Sequence, residues 1–140
     1  MISYRTGNDL DLDQVIALYR SSTLGERRPV DDRARMQQML EKANLVITAW
    51  DGAKMVGIAR SLTDFCYATY LSDLAVDETY QRQGIGKELI RLTQEAGGQA
   101  SVILLSAPKA VEYYPRIGMT AHPSAWWLRA GESLRQMDKQ

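Results

Sequence analysis

The chain has 140 residues, 45% of them hydrophobic and 24% charged, which is the composition of a soluble globular protein with one core and too little length for two full domains. Lysine plus arginine equals aspartate plus glutamate at 17 each, so no net field draws the chain to nucleic acid or to an anionic membrane. Cys66 is the only cysteine and His122 the only histidine, which excludes an internal disulfide framework and leaves too few soft ligands for a zinc site.

The amino terminus, Met1-Ile2-Ser3-Tyr4-Arg5, lacks the basic-then-apolar pattern of a signal peptide, and no apolar run approaches the ~20 residues that span a bilayer. A cytoplasmic protein is expected. Residues 2–5 fit a short edge strand. Leu12, Val15, Leu18 and Tyr19 recur at helical spacing behind several N-caps and predict a helix over about 11–22. The polar stretch 21–29 ends it, and Asp31 or Asp32 caps a second helix with Met36, Met39, Leu40 and Ala43 as its apolar stripe. Residues 45–50 are β-branched and apolar, Asp51-Gly52 is a hairpin signal, and 55–62 is the returning strand. A third strand is predicted over 69–76, after a loop around 64–67. Ile85, Leu89, Leu92 and Ala96 share a helical face that stops at Gly97-Gly98. Residues 101–106 form a continuous apolar run, the pattern of a buried parallel strand. Pro108 suits the first turn of a short helix ending near Pro115, 125–129 reads as a last strand, and a polar tail follows from about 131 to 140. There is no internal repeat or linker, so residues 1–140 are read as one domain.

Residues 74–89, Leu74-Ala75-Val76-Asp77-Glu78-Thr79-Tyr80-Gln81-Arg82-Gln83-Gly84-Ile85-Gly86-Lys87-Glu88-Leu89, make a strand, a turn and a helix start with two glycines at the junction. First-turn amides lack intrahelical partners and carry partial positive charge, so an anion placed there is both hydrogen-bonded and field-stabilised. Glycine permits close approach of phosphate to backbone. A dinucleotide fingerprint would need a small residue at Leu89 and an acidic one near Ser106. A triphosphate loop would need Ser or Thr at Glu88 and glycine at Gln81. Neither fits. A plain strand-to-helix turn also accounts for the glycines.

Gln81-Arg82-Gln83-Gly84-Ile85-Gly86 resembles the Q/R-x-x-G-x-G/A motif of the GNAT superfamily of N-acyltransferases, and it follows a Leu-Ala-Val strand as that motif does. Tyr113-Tyr114-Pro115-Arg116-Ile117-Gly118-Met119 is similar to the family's later F-Y-x-x-x-G-F segment, with Met119 replacing an aromatic. The resemblance covers nearly the whole chain. It implies an α/β fold in which a central, mostly antiparallel mixed sheet carries a parallel, splayed strand pair and is flanked by helices. It places the pyrophosphate of acyl-coenzyme A on the amides of Gln81, Arg82, Gln83, Gly84, Ile85, Gly86 and Lys87, and the pantetheine arm along Leu74, Ala75 and Val76. An amide near Leu74 would then meet the thioester carbonyl. Tyr114 matches the tyrosine that protonates the departing thiolate. Transfer from a phenol near ~10 to a thiolate near ~8.5 is uphill by roughly 2 kcal/mol, so hydrogen bonding by Tyr114 is expected to matter more than completed transfer. Tyr113 and Tyr114 as plain core cover is the competing reading.

For a lysine-like acceptor a base or a water chain is useful, because removing its proton from ~10.4 at pH 7 costs about 4.6 kcal/mol. Asp73, between Ser72 and Leu74, is the candidate, unless it faces water or caps a bulge. Glu26, Arg27, Arg28 and Tyr70 are candidate acceptor contacts, and Phe65, Tyr67, Trp126 and Trp127 either wall that pocket or pack. His122 reads as a loop residue and Cys66 as a packed thiol. The implied activity is transfer of acetyl from acetyl-CoA to a primary amine on a small molecule or peptide, by direct attack in a ternary complex and without a metal. A non-catalytic acyl-CoA sensor shares the cradle without needing Tyr114 or Asp73. Charged RNA is an unattractive acceptor for so neutral a chain, and an edge strand with two tryptophans suggests a homodimer contact.

Overall fold

In the first half of the chain local sequence and structure agree closely. In the computed structural model, which describes residues 1–137, strand β2 (Leu45–Asp51) is buried along almost its whole length. Gly52, at φ +60°, turns the chain into β3 (Lys54–Thr63). β1 (Ile2–Thr6) pairs antiparallel with β2 at the outer edge, and β4 (Ala68–Val76) pairs antiparallel with β3. β5 (Ser101–Ile103) joins β4 in parallel, giving a five-stranded mixed sheet in sequential order.

Helices cover both faces. α1 (Leu12–Arg20) starts at Asp11, whose carboxylate accepts from the Asp13 amide, and α2 (Arg33–Lys42) starts at Asp32, which accepts from Arg35. These caps each satisfy an orphan amide and contribute about 1 kcal/mol. Leu12, Val15, Leu18, Tyr19, Met36 and Leu40 pack with Val46, Ile58 and Ala75 of the sheet. Met39, expected in the stripe, is only partly buried. The opposite face, at Gly57 on β3, receives α3 (Ile85–Ala96). Its buried stripe is Ile85, Leu89, Ile90 and Thr93, with the Thr93 hydroxyl donating to the Leu89 carbonyl at 2.8 Å, whereas the expected stripe residue Ala96 is exposed.

The expected strand over 101–106 shortens to three residues, and its ends are exposed. The cause lies in its partner. Between Arg60 and Ser61 the register on β4 jumps from Asp73 to Leu71, so Ser72 is an extra residue in a β-bulge. Bulges bend and twist a strand. β5 pairs only with Ala68, Thr69 and Tyr70, and beyond that point its backbone has no ladder to join.

Chain contacts divide the protein into two compact units, Met1–Leu105 and a second that begins at Ser106. In the second unit a 3-10 turn (Pro108–Ala110) precedes α4 (Tyr113–Arg116), so the predicted helix from Pro108 starts five residues later than expected. Pro115 sits within its first turn, where a missing amide costs nothing. The Tyr113 and Tyr114 rings pack edge-to-face with centroids 5.2 Å apart. The Tyr114 carbonyl accepts from Ile117 and Met119, and Gly118 turns the chain at φ +98°. Residues 125–129 are not a strand. Their aromatic and apolar composition suits one, but no ladder partner exists among the described residues. The Arg129 guanidinium instead lies 4.1 Å from the Trp127 ring centroid. The homodimer suggestion therefore loses the edge strand on which it stood. The last three residues of the polar tail lie outside the described residues.

Candidate functional site

Where β4 ends, the chain is pinned at several points before α3 begins. The Asp77 amide donates to the Val56 carbonyl at 2.9 Å and the Glu78 amide to the Ser21 carbonyl at 3.0 Å. The Asp77 carboxylate accepts from the Thr79 amide and hydroxyl at 2.9 and 2.8 Å and lies 3.5 Å from Lys54. Burial would raise its pKa, but the Thr79 bonds, the Lys54 charge and a Ser21 hydrogen bond outweigh that and hold it below the ordinary carboxylate value. A 3-10 turn (Glu78–Tyr80) follows, tied to the β2–β3 hairpin by the Tyr80 hydroxyl donating to Asp51 at 2.6 Å. Gln81 donates back to the Val76 carbonyl at 3.1 Å.

The next residues expose backbone. Arg82 has φ +65° and Gly84 φ +81°; a left-handed conformation costs a side-chain-bearing residue roughly 1–2 kcal/mol. A Cβ on Gly84 would meet nothing, so glycine is needed there for conformation rather than space. Gly84 is the N-cap of α3, and no side chain caps this end among the described residues. Residues 81–84 are exposed, Ile85 is buried and Gly86 half-buried. The amides of Ile85, Gly86 and Lys87 precede the first intrahelical bond, from Glu88 to the Gly84 carbonyl at 3.0 Å. Together these form an uncapped, solvent-exposed helix start, a candidate anion cradle.

Upstream of the cradle, β4 runs from Leu71 to Val76 with no strand on its β5 side among the described residues. Leu74, Ala75 and Val76 lie on this parted segment. Asp73, on the same segment immediately before Leu74, is fully buried. Its Oδ2 accepts from the Tyr19 hydroxyl at 2.7 Å and Arg60 Nε at 2.5 Å, and its Oδ1 from Arg28 Nε at 2.6 Å and the Ser72 hydroxyl at 3.2 Å. Those four donors fill the four lone-pair sites of a carboxylate. Burial raises the Asp73 pKa, but the Arg60 bond and charge, the Arg28 charge and the Tyr19 bond carry it below the usual value. The same burial, with the Asp73 charge, raises the Tyr19 phenol well above its ordinary value. Tyr19, Arg60 and Ser72 went unnoticed in the sequence because they sit inside ordinary helix and strand patterns.

The other candidates are spread over the molecule. Glu26 and Arg27 are exposed on a 3-10 turn (Thr23–Arg27) after α1, whereas Arg28 turns inward to Asp73. Tyr70 lies in register between Leu62 on β3 and Ile103 on β5, and the three are 39%, 43% and 55% exposed. Phe65 and Tyr67 are exposed in the β3–β4 turn, and Cys66 beside them is an exposed thiol rather than a packed one. Its position is set by Asp64, which accepts from the amides of Cys66, Tyr67 and Ala68. Tyr114 belongs to the second unit, on α4. Among the described residues no His, Cys, Asp and Glu cluster is arranged to hold a metal, and no helix is long and apolar enough to cross a membrane.

Residues 21–140 match the family described as "Acetyltransferase (GNAT) domain". The chain belongs to the GNAT acetyltransferase family. Its fold is that of solved GNAT structures. A GNAT family acetyltransferase from Streptococcus pneumoniae superposes with a TM-score of 0.74 at 25% identity, over 93% of this chain and 99% of that one. An aminoglycoside acetyltransferase from an uncultured soil metagenomic sample, solved with trehalose, gives 0.69 at 26% identity over 94% and 97%. GCN5-related N-acetyltransferase 2, chloroplastic, of Arabidopsis thaliana is 32% identical over 73 residues, half of this chain and 28% of that protein. The chain spans less than a third of the length of this and the Glycine max relatives it matches.

Proposed function

We propose that the protein is an acyl-CoA-dependent N-acyltransferase that passes acetyl from acetyl-CoA to a primary amine by direct attack in a ternary complex. The observation that carries this reading is the continuity of two features: the parted edge of β4 runs directly into the uncapped, glycine-opened start of α3. An extended pantetheine arm suits the first and a pyrophosphate the second. The residues present fit the group. Amides from Gln81 to Lys87 would hold the pyrophosphate, with Arg82 and Lys87 at the rim, and the backbone of Leu74, Ala75 and Val76 would pair with the arm.

Acetyl-CoA supplies an activated thioester when bound. The amide at Leu74 would donate to the thioester carbonyl as negative charge builds on its oxygen, a preorganised dipole of the kind that dominates acyl-transfer catalysis. By the family resemblance, the Tyr114 hydroxyl would hydrogen-bond the departing sulfur and supply its proton. We assign no base role to Asp73, because its lone pairs are committed and its pKa is lowered; a general base works best with a pKa near the operating pH. A water chain is the proton path we favour. The exposed row Leu62, Tyr70 and Ile103 offers an apolar wall to the acceptor, and the exposed Glu26 and Arg27 are candidate polar contacts. The likeness to a soil aminoglycoside acetyltransferase supports a small-molecule primary amine as that acceptor.

Calorimetric titration with acetyl-CoA tests the donor site. Saturable micromolar binding is expected for the wild type and none for Gly84→Pro, since proline cannot adopt the positive φ of Gly84. No binding by folded wild type would overturn the reading. Tyr114→Phe is expected to lower kcat about 10- to 100-fold with little change in donor affinity. Binding without turnover across a broad amine panel would favour a non-catalytic acyl-CoA sensor instead.

A further inference from the structure

We propose that Arg28 is a positioning residue for acyl transfer, clamping the bulged pair Ser72–Asp73 so that the next amide, that of Leu74, is held against the acyl group. The inference rests on assigning the β4 edge to the acyl donor.

Neutralising Asp73 does not require Arg28. Arg60, whose side chain is 9% exposed, already provides a counter-ion in contact, and Tyr19 and Ser72 supply further donors. Arg28 is the surplus cation, and it spends its fork on two consecutive residues. Its Nε meets the Asp73 carboxylate at 2.6 Å and its Nη2 meets the Ser72 backbone carbonyl at 2.8 Å. Charge balance has no use for the second bond; fixing the backbone of a bulge does. A bulged residue leaves the ladder locally disrupted, and here Arg28 gives its carbonyl a partner.

Arg28 also has a firm base from which to act. It follows the 3-10 turn after α1, where Leu24 is buried and the Ser22 hydroxyl donates to the Tyr19 carbonyl at 3.0 Å. A Cβ on Gly25 would come within 2.6 Å of the Tyr19 carbonyl oxygen, so this turn lies tight on α1. The same stretch grips the cradle end of β4, because the Ser21 carbonyl accepts from Glu78 and Ser21 hydrogen-bonds Asp77. Residues 21–28 therefore hold the chain on both sides of Leu74, Ala75 and Val76. They set the spacing between the amide that meets the thioester and the amides that meet the pyrophosphate.

The test compares Arg28→Ala and Arg28→Lys with wild type in kcat, acetyl-CoA KM, calorimetric CoA affinity and melting temperature. Arg28→Ala is expected to lower kcat about 10- to 100-fold, the scale of an ångström-sized misplacement, while CoA affinity changes by less than about threefold because the cradle is untouched. Ethylguanidinium is expected to restore part of the lost kcat by occupying the vacated site. Arg28→Lys keeps the charge but not the planar fork, so it also loses kcat, and it carries the test if the alanine variant is unfolded. Unchanged kcat in a folded variant, or parallel loss of kcat and CoA affinity without chemical rescue, would overturn the proposal. A wild type that neither binds CoA nor acetylates amines would instead refute the donor assignment, and this inference with it. Active wild type with indifferent Arg28 refutes the inference alone.

Discussion

Asp73 keeps its charge in the interior through four protein donors, and that has a consequence for pH. Its folded pKa is depressed, so the stability it contributes is fully present above the ordinary carboxylate value of ~3.9 and is lost as pH falls through the lower folded value. Asp77 is shifted in the same direction and adds to the same acid limb. Asp73→Asn strands two guanidiniums beside a neutral group and is expected to cost about 3–5 kcal/mol near pH 7. It should also flatten the fall in melting temperature between about pH 5 and pH 2. Melting curves with the same acid slope as wild type would show that other groups govern acid unfolding. Sequence reading rightly saw a strand carboxylate in need of an explanation but not the explanation it has. Apart from the adjacent Ser72, its partners lie 13, 45 and 54 residues away, and no spacing rule connects them.

At the scale of elements, α3 is placed by the absence of a side chain. A Cβ on Gly57 would lie 3.0 Å from the Leu89 methyl and 3.2 Å from that of Ile85, so Gly57 sets how closely the first turns of α3 approach the sheet. Gly57→Val should push that helix outward and carry the cradle with it. The expected result is a loss of about 1–3 kcal/mol in stability, from overpacking, and a rise of about tenfold in the acetyl-CoA KM with kcat at saturation little changed. An unchanged KM would show that the loop bonds at Asp77, Glu78 and Gln81 hold the cradle without help from the helix. Elements with strong local signals were legible: α1 and α2 through their caps and apolar periodicity, β2 and β3 through β-branched runs around Asp51-Gly52. β5 was overextended and 125–129 misread as a strand for one reason. An apolar run reports which residues suit a ladder, while the length of a ladder depends on a partner, and the partner of β5 turns away at a bulge that nothing near Ser101 encodes.

For the molecule as a whole, the family and the order of helices and strands were readable because the Gln81–Gly86 motif and the strand before it form one contiguous stretch. The proposed acceptor surface was not, since Leu62, Tyr70 and Ile103 come from three separate strands. The parting of β4 from β5 also bears on behaviour in concentrated solution. Between Leu71 and Val76 a strand with no neighbouring strand on one side among the described residues presents an open edge, and such an edge is a template for any other extended chain. A bound donor lying along that edge would act as a stopper as well as a reagent. Light scattering from ligand-free protein should rise with concentration and fall when CoA is added; scattering indifferent to CoA would mean that the edge is already guarded. On this view a shortage of donor leaves the protein not merely idle but sticky, and the cell's acyl-CoA supply becomes one determinant of how long it stays dispersed.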